Sequence, residues 1–189
     1  MEDEFITWLR RLRPVPEKDA GLILGAFAEQ AFVEGGELFR GGHVCRQLFF
    51  ILDGVLRIVM QNDKGVDVTH YFLKEGQFCT ILKSFTEGTI ADEHIQAACP
   101  VRVKSIDKSK LMELYGRLPY LQPVIAEVIQ KGLIDKINTR NAYLGVDSTT
   151  RYQLFLELQP EIATRVSLSD VAAYLGVTPQ SLSRIRRKK

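Results

Sequence analysis

The chain has 189 residues, with 25 lysines and arginines against 23 aspartates and glutamates, and 46% of its residues are hydrophobic. That length carries one large domain or two small ones with real cores, and no apolar run nears the ~20 residues needed to span a bilayer. Three widely spaced cysteines, Cys45, Cys79 and Cys99, argue against a disulfide framework and fit a reducing cytoplasm. The slight basic excess sits at one end. From Asp147 onward seven basic residues face four acidic ones, whereas eighteen face nineteen before it; such asymmetry points to a nucleic-acid partner.

The opening "MEDEFITWLRRLRP" starts acidic and amphipathic, unlike a secretory signal. Phe5, Trp8, Leu9 and Leu12 recur at helical spacing, and "RPVP" stops that helix because proline lacks a donor. A second helix is expected over about residues 17–29. The pattern then changes to short runs rich in Val, Ile and Phe, punctuated by glycines at 35–36, 41–42, 54, 65 and 76. This spacing predicts an antiparallel sandwich or barrel, with "QNDKGVD" as a hairpin turn around Gly65. The strand pair "HIQAACPVRVKSID" closes it near Asp107.

From about Pro119 the period returns to 3.6, with Leu121, Ile125, Val128, Ile129, Leu133, Ile137 and Leu144 along one face of a long helix. Two roles fit: a helix packed on its own β-domain, or the seam of a homodimer, which the narrow stripe favours. "GVDSTTRYQLFLE" reads as a hinge and then a new helix capped by a Ser or Thr.

In "VSLSDVAAYLGVTPQSLSRIRRKK", Ser167 and Asp170 resemble a capping box, and Gly176 ends a short helix. Thr178 caps a second helix with Pro179 at its first position. Val171, Leu175, Val177, Leu182 and Ile185 join the two around the small Ala172, which is the arrangement of a helix-turn-helix. The second helix of that motif enters the major groove of double-stranded DNA. Gln180, Ser181, Ser183 and Arg184 are placed to read base edges, with Arg184 able to pair bidentately with guanine and Gln180 with adenine. Thr178, Arg186, Arg187, Lys188 and Lys189 suit phosphates, which position without specifying.

With these glycine-punctuated strands, the long helix and "TPQSLSRIRRK", the whole chain resembles the CRP/FNR-type transcription regulators. The resemblance implies an α+β fold: an antiparallel β-roll of the double-stranded β-helix or jelly-roll type over residues 1–117, a dimerisation helix over 118–146, and an all-α helix-turn-helix domain over 147–189. It implies a homodimer reading two half-sites about one helical turn apart, with RNA polymerase as a further partner. In cyclic-AMP-binding members a Gly-Glu pair opens a phosphate-binding cassette and an Arg-Ser pair closes it. The corresponding stretch "EGQFCTILKSFTEGTIADEHIQA" keeps Gly76 and Phe78, but has Thr80 and Ile81 for the first pair and Ala91 and Asp92 for the second. A half-buried phosphate needs charge-assisted hydrogen bonds. Lys83 alone does not rebuild the site, so cyclic-nucleotide control is not expected and no cofactor is assigned. The family's members usually continue past the recognition helix into a β-hairpin wing; here the sequence is either naturally wingless, with the basic run to Lys189 taking the wing's phosphate contacts, or shorter than the full gene product.

Other chemistries find no pattern. No cysteine precedes Cys45, as a family iron–sulfur cluster would require, and His43, His70 and His94 match neither dedicated zinc spacing nor haem ligation. No P-loop, G-x-S-x-G or H-E-x-x-H is present, so an enzyme is not expected. The competing reading is a ligand-sensing β-roll acting through protein contacts, with vestigial DNA binding; Gln180, Arg184 and the basic end speak against it.

Overall fold

The computed structural model describes residues 3–63 and 65–187. Two helices open the chain, α1 (Glu4–Leu12) and α2 (Glu17–Ala26). Asp3 caps α1, its carboxylate accepting the Phe5 and Ile6 N–H groups. The buried face of α1 is Phe5, Ile6 and Leu9, while Leu12 lies half exposed, so the apolar stripe is rotated towards Ile6 from the one the spacing predicts. The second helix ends three residues before the expected limit. Phe27 turns extended, and β1 (Ala28–Phe32) takes over because its backbone pairs with β10 (Val101–Asp107).

The α+β fold is a jelly-roll-like pair of antiparallel sheets joined to helices at both ends of the chain. One sheet has the order β1-β10-β4-β7, with β4 at Gln47–Asp53 and β7 at Phe78–Cys79. The other is β2-β9-β5-β6, from β2 (Glu37–Phe39), β5 (Leu56–Gln61), β6 (Asp67–Leu73) and β9 (His94–Ala97). A short pair, β3 (His43–Val44) with β8 (Ile90–Ala91), sits between them in sequence. The β5–β6 connection is the expected hairpin, with Gly65 at φ +71°, where a Cβ would be strained.

Strand alternation sorts the side chains into layers. Along β4, Leu48 and Phe50 face a helical layer, and Phe49 and Ile51 face the second sheet. The helical layer is α1, α2, α4 (Lys108–Arg117) and the start of α5 (Leu121–Ala142), packed through Phe5, Ile23, Leu111, Leu114, Leu121 and Ile125. Between the sheets lie Leu56, Ile58, Ile95, Val101 and Val103. The outer face of the second sheet is covered in part by the C-terminal helices. Val55, Phe72, Ala98 and Cys99 form one core with Tyr152, Phe155, Ile162, Val171 and Leu175 of the C-terminal helices.

Those helices are α6 (Ser148–Leu158), α7 (Pro160–Ala163), α8 (Leu168–Leu175) and α9 (Pro179–Arg187). The cap of α6 is Asp147, which accepts from the Thr149 and Thr150 N–H groups, rather than one of the following Ser or Thr residues. A carboxylate there also gains from the helix dipole. All three cysteines are buried and free. Among the described residues no helix is long and apolar enough to cross a membrane.

Candidate functional site

The helix-turn-helix is built as its sequence pattern requires. Ser167 caps α8 by accepting the Asp170 N–H at 3.2 Å. Gly176 closes the helix in the left-handed conformation (φ +67°), and the Val177 N–H returns to the Ala172 carbonyl at 3.0 Å. Thr178 Oγ1 then accepts the Ser181 N–H at 3.1 Å and starts α9 at Pro179. Ala172, Leu175 and Leu182 are buried between the helices. This leaves Gln180, Ser181, Arg184, Arg186 and Arg187 exposed on α9, with Ser183 half-buried. Ser181 Oγ is hydrogen-bonded to Thr178 Oγ1 at 3.0 Å, so both hydroxyls serve the cap. Lys188 and Lys189 lie outside the described residues. Capping satisfies the first turn of α9 while its guanidinium groups lie on the later turns; the surface offers a fork donor, an amide and positive charge that forms no ion pair among the described residues.

The stretch corresponding to the phosphate cassette folds around the six-residue helix α3 (Leu82–Glu87), which Gly88 ends. Its residues lie in different surroundings. Gly76 lies against Trp8: a Cβ there would stand 3.0 Å from the indole nitrogen. Phe78 packs among the rings of Phe5, Trp8 and Phe50. Thr80 Oγ1 donates to the Gln47 carbonyl at 2.8 Å. Ile81 and Ala91 are buried in the core between the sheets, whereas Lys83 and Asp92 point to solvent. Hydrogen bonds within the chain hold the turn: Ser84 Oγ accepts the Cys45 N–H at 2.8 Å and donates to the Thr89 carbonyl at 2.5 Å. Lys108 Nζ donates to the Phe85 and Thr86 carbonyls at 2.5 and 3.0 Å.

A cleft of about 830 Å³ runs instead between β6, at the edge of its sheet, and α5, and ends at Tyr143 and Tyr174. Lys136 Nζ lies 3.5 Å from the centre of the Tyr71 ring. Loss of solvation lowers the Lys136 pKa, and the neighbouring Arg140 charge lowers it further, against a smaller opposing pull from Glu93. His70 is lowered first by desolvation and then by Lys136. Among the described residues Lys136 forms no ion pair; around it the cleft offers the Tyr71 ring and the Lys136 and Arg140 charges, which suit an anion with an apolar body, while Asp135 and Glu161 line it too. Of the expected cassette residues only Phe78 and Thr80 border it. Tyr71, Lys136 and Arg140 were not singled out by motif reading, since a lysine in a helix and a tyrosine in a strand carry no spacing signal. Among the described residues no group of three or more His, Cys, Asp or Glu side chains is placed to hold a metal ion.

Residues 29–117 match the family of the cyclic nucleotide-binding domain. No curated protein matches the chain by sequence. Among solved structures the chain is similar to the c-di-GMP responsive global regulator CLP of Xanthomonas campestris, with TM-score 0.71 at 16% identity over 92% of this chain and 91% of that one. It is similar to a transcriptional regulator of the crp/fnr family from Eubacterium rectale, with TM-score 0.70 at 17% identity over 92% and 83%. A cyclic nucleotide-binding domain containing protein from Listeria monocytogenes gives TM-score 0.69 at 13% identity over 98% and 90%. At such identities the likeness is one of fold. Residues 29–117 thus match the cyclic nucleotide-binding domain, and the chain as a whole is similar in fold to these regulators, the crp/fnr-family one among them.

Proposed function

We propose that this protein is a dimeric, sequence-specific DNA-binding transcription regulator that works without cyclic AMP, and that it is not an enzyme. The observation that carries the reading is α9: a capped helix, supported from behind by α8, that exposes Gln180, Arg184, Arg186 and Arg187 together. Gln180 and Arg184 read base edges in the major groove, and Arg186 and Arg187 take phosphates, joined by Thr178 and by the terminal Lys188 and Lys189. The dimer forms along the second half of α5. There Gln130, Leu133, Ile137 and Arg140 are exposed at alternating three- and four-residue spacing, continued by Leu144 in the turn beyond.

Independence from cyclic AMP rests on the cassette. A cyclic phosphate placed there would meet the Ala91 methyl and the Ile81 side chain, and the Thr80 hydroxyl already donates to the Gln47 carbonyl. Each missing charge-assisted hydrogen bond forfeits about 1.5–3 kcal/mol. Any effector that acts does so by binding one head arrangement better than another, and the cationic cleft beside α5 is where it would enter.

Selection from random duplex DNA without added ligand tests this reading. The expected product is a palindrome with half-sites about one helical turn apart, whose affinity is unchanged by cyclic AMP. Recovery of nothing beyond sequence-blind, steeply salt-dependent binding would sink it.

A further inference from the structure

The C-terminal helices are held by more than the 143–147 connection that joins them to α5. They are docked on the outer face of the second sheet, and α8 lies against β6. At the centre of that contact, Arg57 of β5 forms an ion pair with Asp170 of α8. Their side chains are only 15% and 13% exposed. The guanidinium also donates to Gln96 Oε1 at 2.9 Å and to Thr69 Oγ1 at 3.4 Å, and its buried Nε has no partner among the described residues. Two further pairs flank it. Arg165 meets Glu75 at 2.5 Å, with Glu75 itself fixed by the Gly54 N–H at 2.7 Å, and Lys74 meets Glu161. The Phe72 and Tyr174 rings pack edge to face at 5.0 Å.

The connection itself is braced as well. Arg151 donates to the Leu175 and Val146 carbonyls at 2.7 and 3.2 Å, and Gln159 Nε2 donates to the hydroxyls of Tyr143 and Tyr174 at 2.9 and 3.1 Å. The end of α5, the connection and α8 are thereby one hydrogen-bonded unit.

We propose that the Arg57–Asp170 pair, with Glu75–Arg165 and Lys74–Glu161 beside it, is a latch that holds each helix-turn-helix on its own β-roll in a single orientation, and so sets the half-site spacing that the protein accepts on DNA. A buried ion pair adds little net stability over an apolar substitute, but it penalises every other arrangement, because sliding the head would strand Arg57 uncompensated. The latch leaves the reading face uncovered: Gln180 and Arg184 are exposed while it is closed. It therefore positions the reading helix instead of blocking it, and Arg57 and Asp170 are positioning residues. The spacing consequence rests on the DNA-reading dimer proposed above; the latch itself does not.

The test uses the full chain with Asp170→Asn, which removes the charge but keeps the side-chain size and the backbone N–H that Ser167 caps. Arg165→Gln at the flanking Glu75 pair, which is more exposed than Arg57–Asp170, is the second variant, should the first fail to fold. Amide hydrogen exchange over residues 143–151 reads the latch without DNA; either variant is expected to speed it. Affinity is then measured on the selected palindrome, on duplexes with the half-sites moved by one or two base pairs, and on a single half-site. The wild type should be strict for spacing. The variants should lose about tenfold or more on the palindrome, tolerate the shifted duplexes, and bind the single half-site unchanged, because a linked pair gains avidity only where its geometry matches the span. Unchanged exchange together with an unchanged spacing profile overturns the latch, and so does tighter binding to every duplex, which would make the contact a restraint on reading. If the wild type selects no duplex, the DNA reading fails while the exchange result still decides the latch.

Discussion

Asp170 shows how one residue serves a different partner from the one its local sequence indicates. Ser167 and Asp170 have the spacing of a capping box, and Ser167 does accept the Asp170 N–H. The Asp170 carboxylate, however, is turned to Arg57, which comes from a strand more than a hundred residues earlier in the chain. The shorter side chain is consistent with that use, since glutamate is the usual partner in the reciprocal box. At the same scale, Arg184 is exposed on α9 with no described side chain competing for its guanidinium. Replacing Arg184 with Ala should cost about 1–3 kcal/mol and relax specificity at one base pair, whereas Arg187→Ala should weaken all sequences about equally. Affinities on a panel of single-base operator variants separate the two; equal weakening by Arg184→Ala would assign it to phosphate.

The long helix α5 divides its work along its length. Leu121, Val124 and Ile125 are buried against the protein's own β-domain, with Val128 and Ile129 packed on the same core. Beyond them the apolar positions turn outward, and Ile137 is 57% exposed. Of the two roles open at the sequence level, intramolecular packing falls on the first half of the helix, and the outward apolar positions of the second half are those of the proposed seam. The stripe read from spacing merged them, because Leu121 to Ile129 and Leu133 to Leu144 are all apolar and a helix period does not say which neighbour covers a side chain. Ile137→Asp tests the outer half. Burying an isoleucine is worth about 1.5–3 kcal/mol. Losing it from both copies should raise the dimer dissociation constant by about two to four orders of magnitude. Sedimentation equilibrium measures this, and a dimer as tight as the wild type's would place the interface elsewhere.

At the scale of the molecule, three cores lie side by side: helices on the first sheet, sheet on sheet, and the second sheet on the C-terminal helices. The third is bridged by ion pairs, and its pH response follows from Glu75. Burial alone would raise the Glu75 pKa, but hydrogen bonds from Arg165 and from backbone N–H groups, with the Arg165 charge, bring it below its ordinary 4.5. A carboxylate with a depressed folded pKa contributes stability that is present above its unfolded value and is lost as pH falls through the folded one. The docked head should therefore loosen as pH drops below about 4.5, seen as faster exchange over residues 143–151, and Glu75→Gln should flatten that dependence. A wild-type response that Glu75→Gln leaves intact would move its source to another group.

Much of this protein was legible from its residues alone, and the legible part is local. Thr178, Pro179 and Gly176 act through bonds to their near neighbours, so the helix-turn-helix was readable at close to its true limits. Alternation and glycine punctuation likewise marked the strands, because the pleat repeats every two residues whatever it packs against. Ile81 and Ala91, which stand where the resemblance expects charged residues, are buried in the structure. Tertiary structure alone decided which faces are covered. It placed Phe72, Val55 and Cys99 under the C-terminal helices, brought Arg57 to Asp170, and set Tyr71 beside Lys136. Each of these depends on residues distant in the chain meeting at one surface, where burial and charge pairing act through space and leave no period in the sequence.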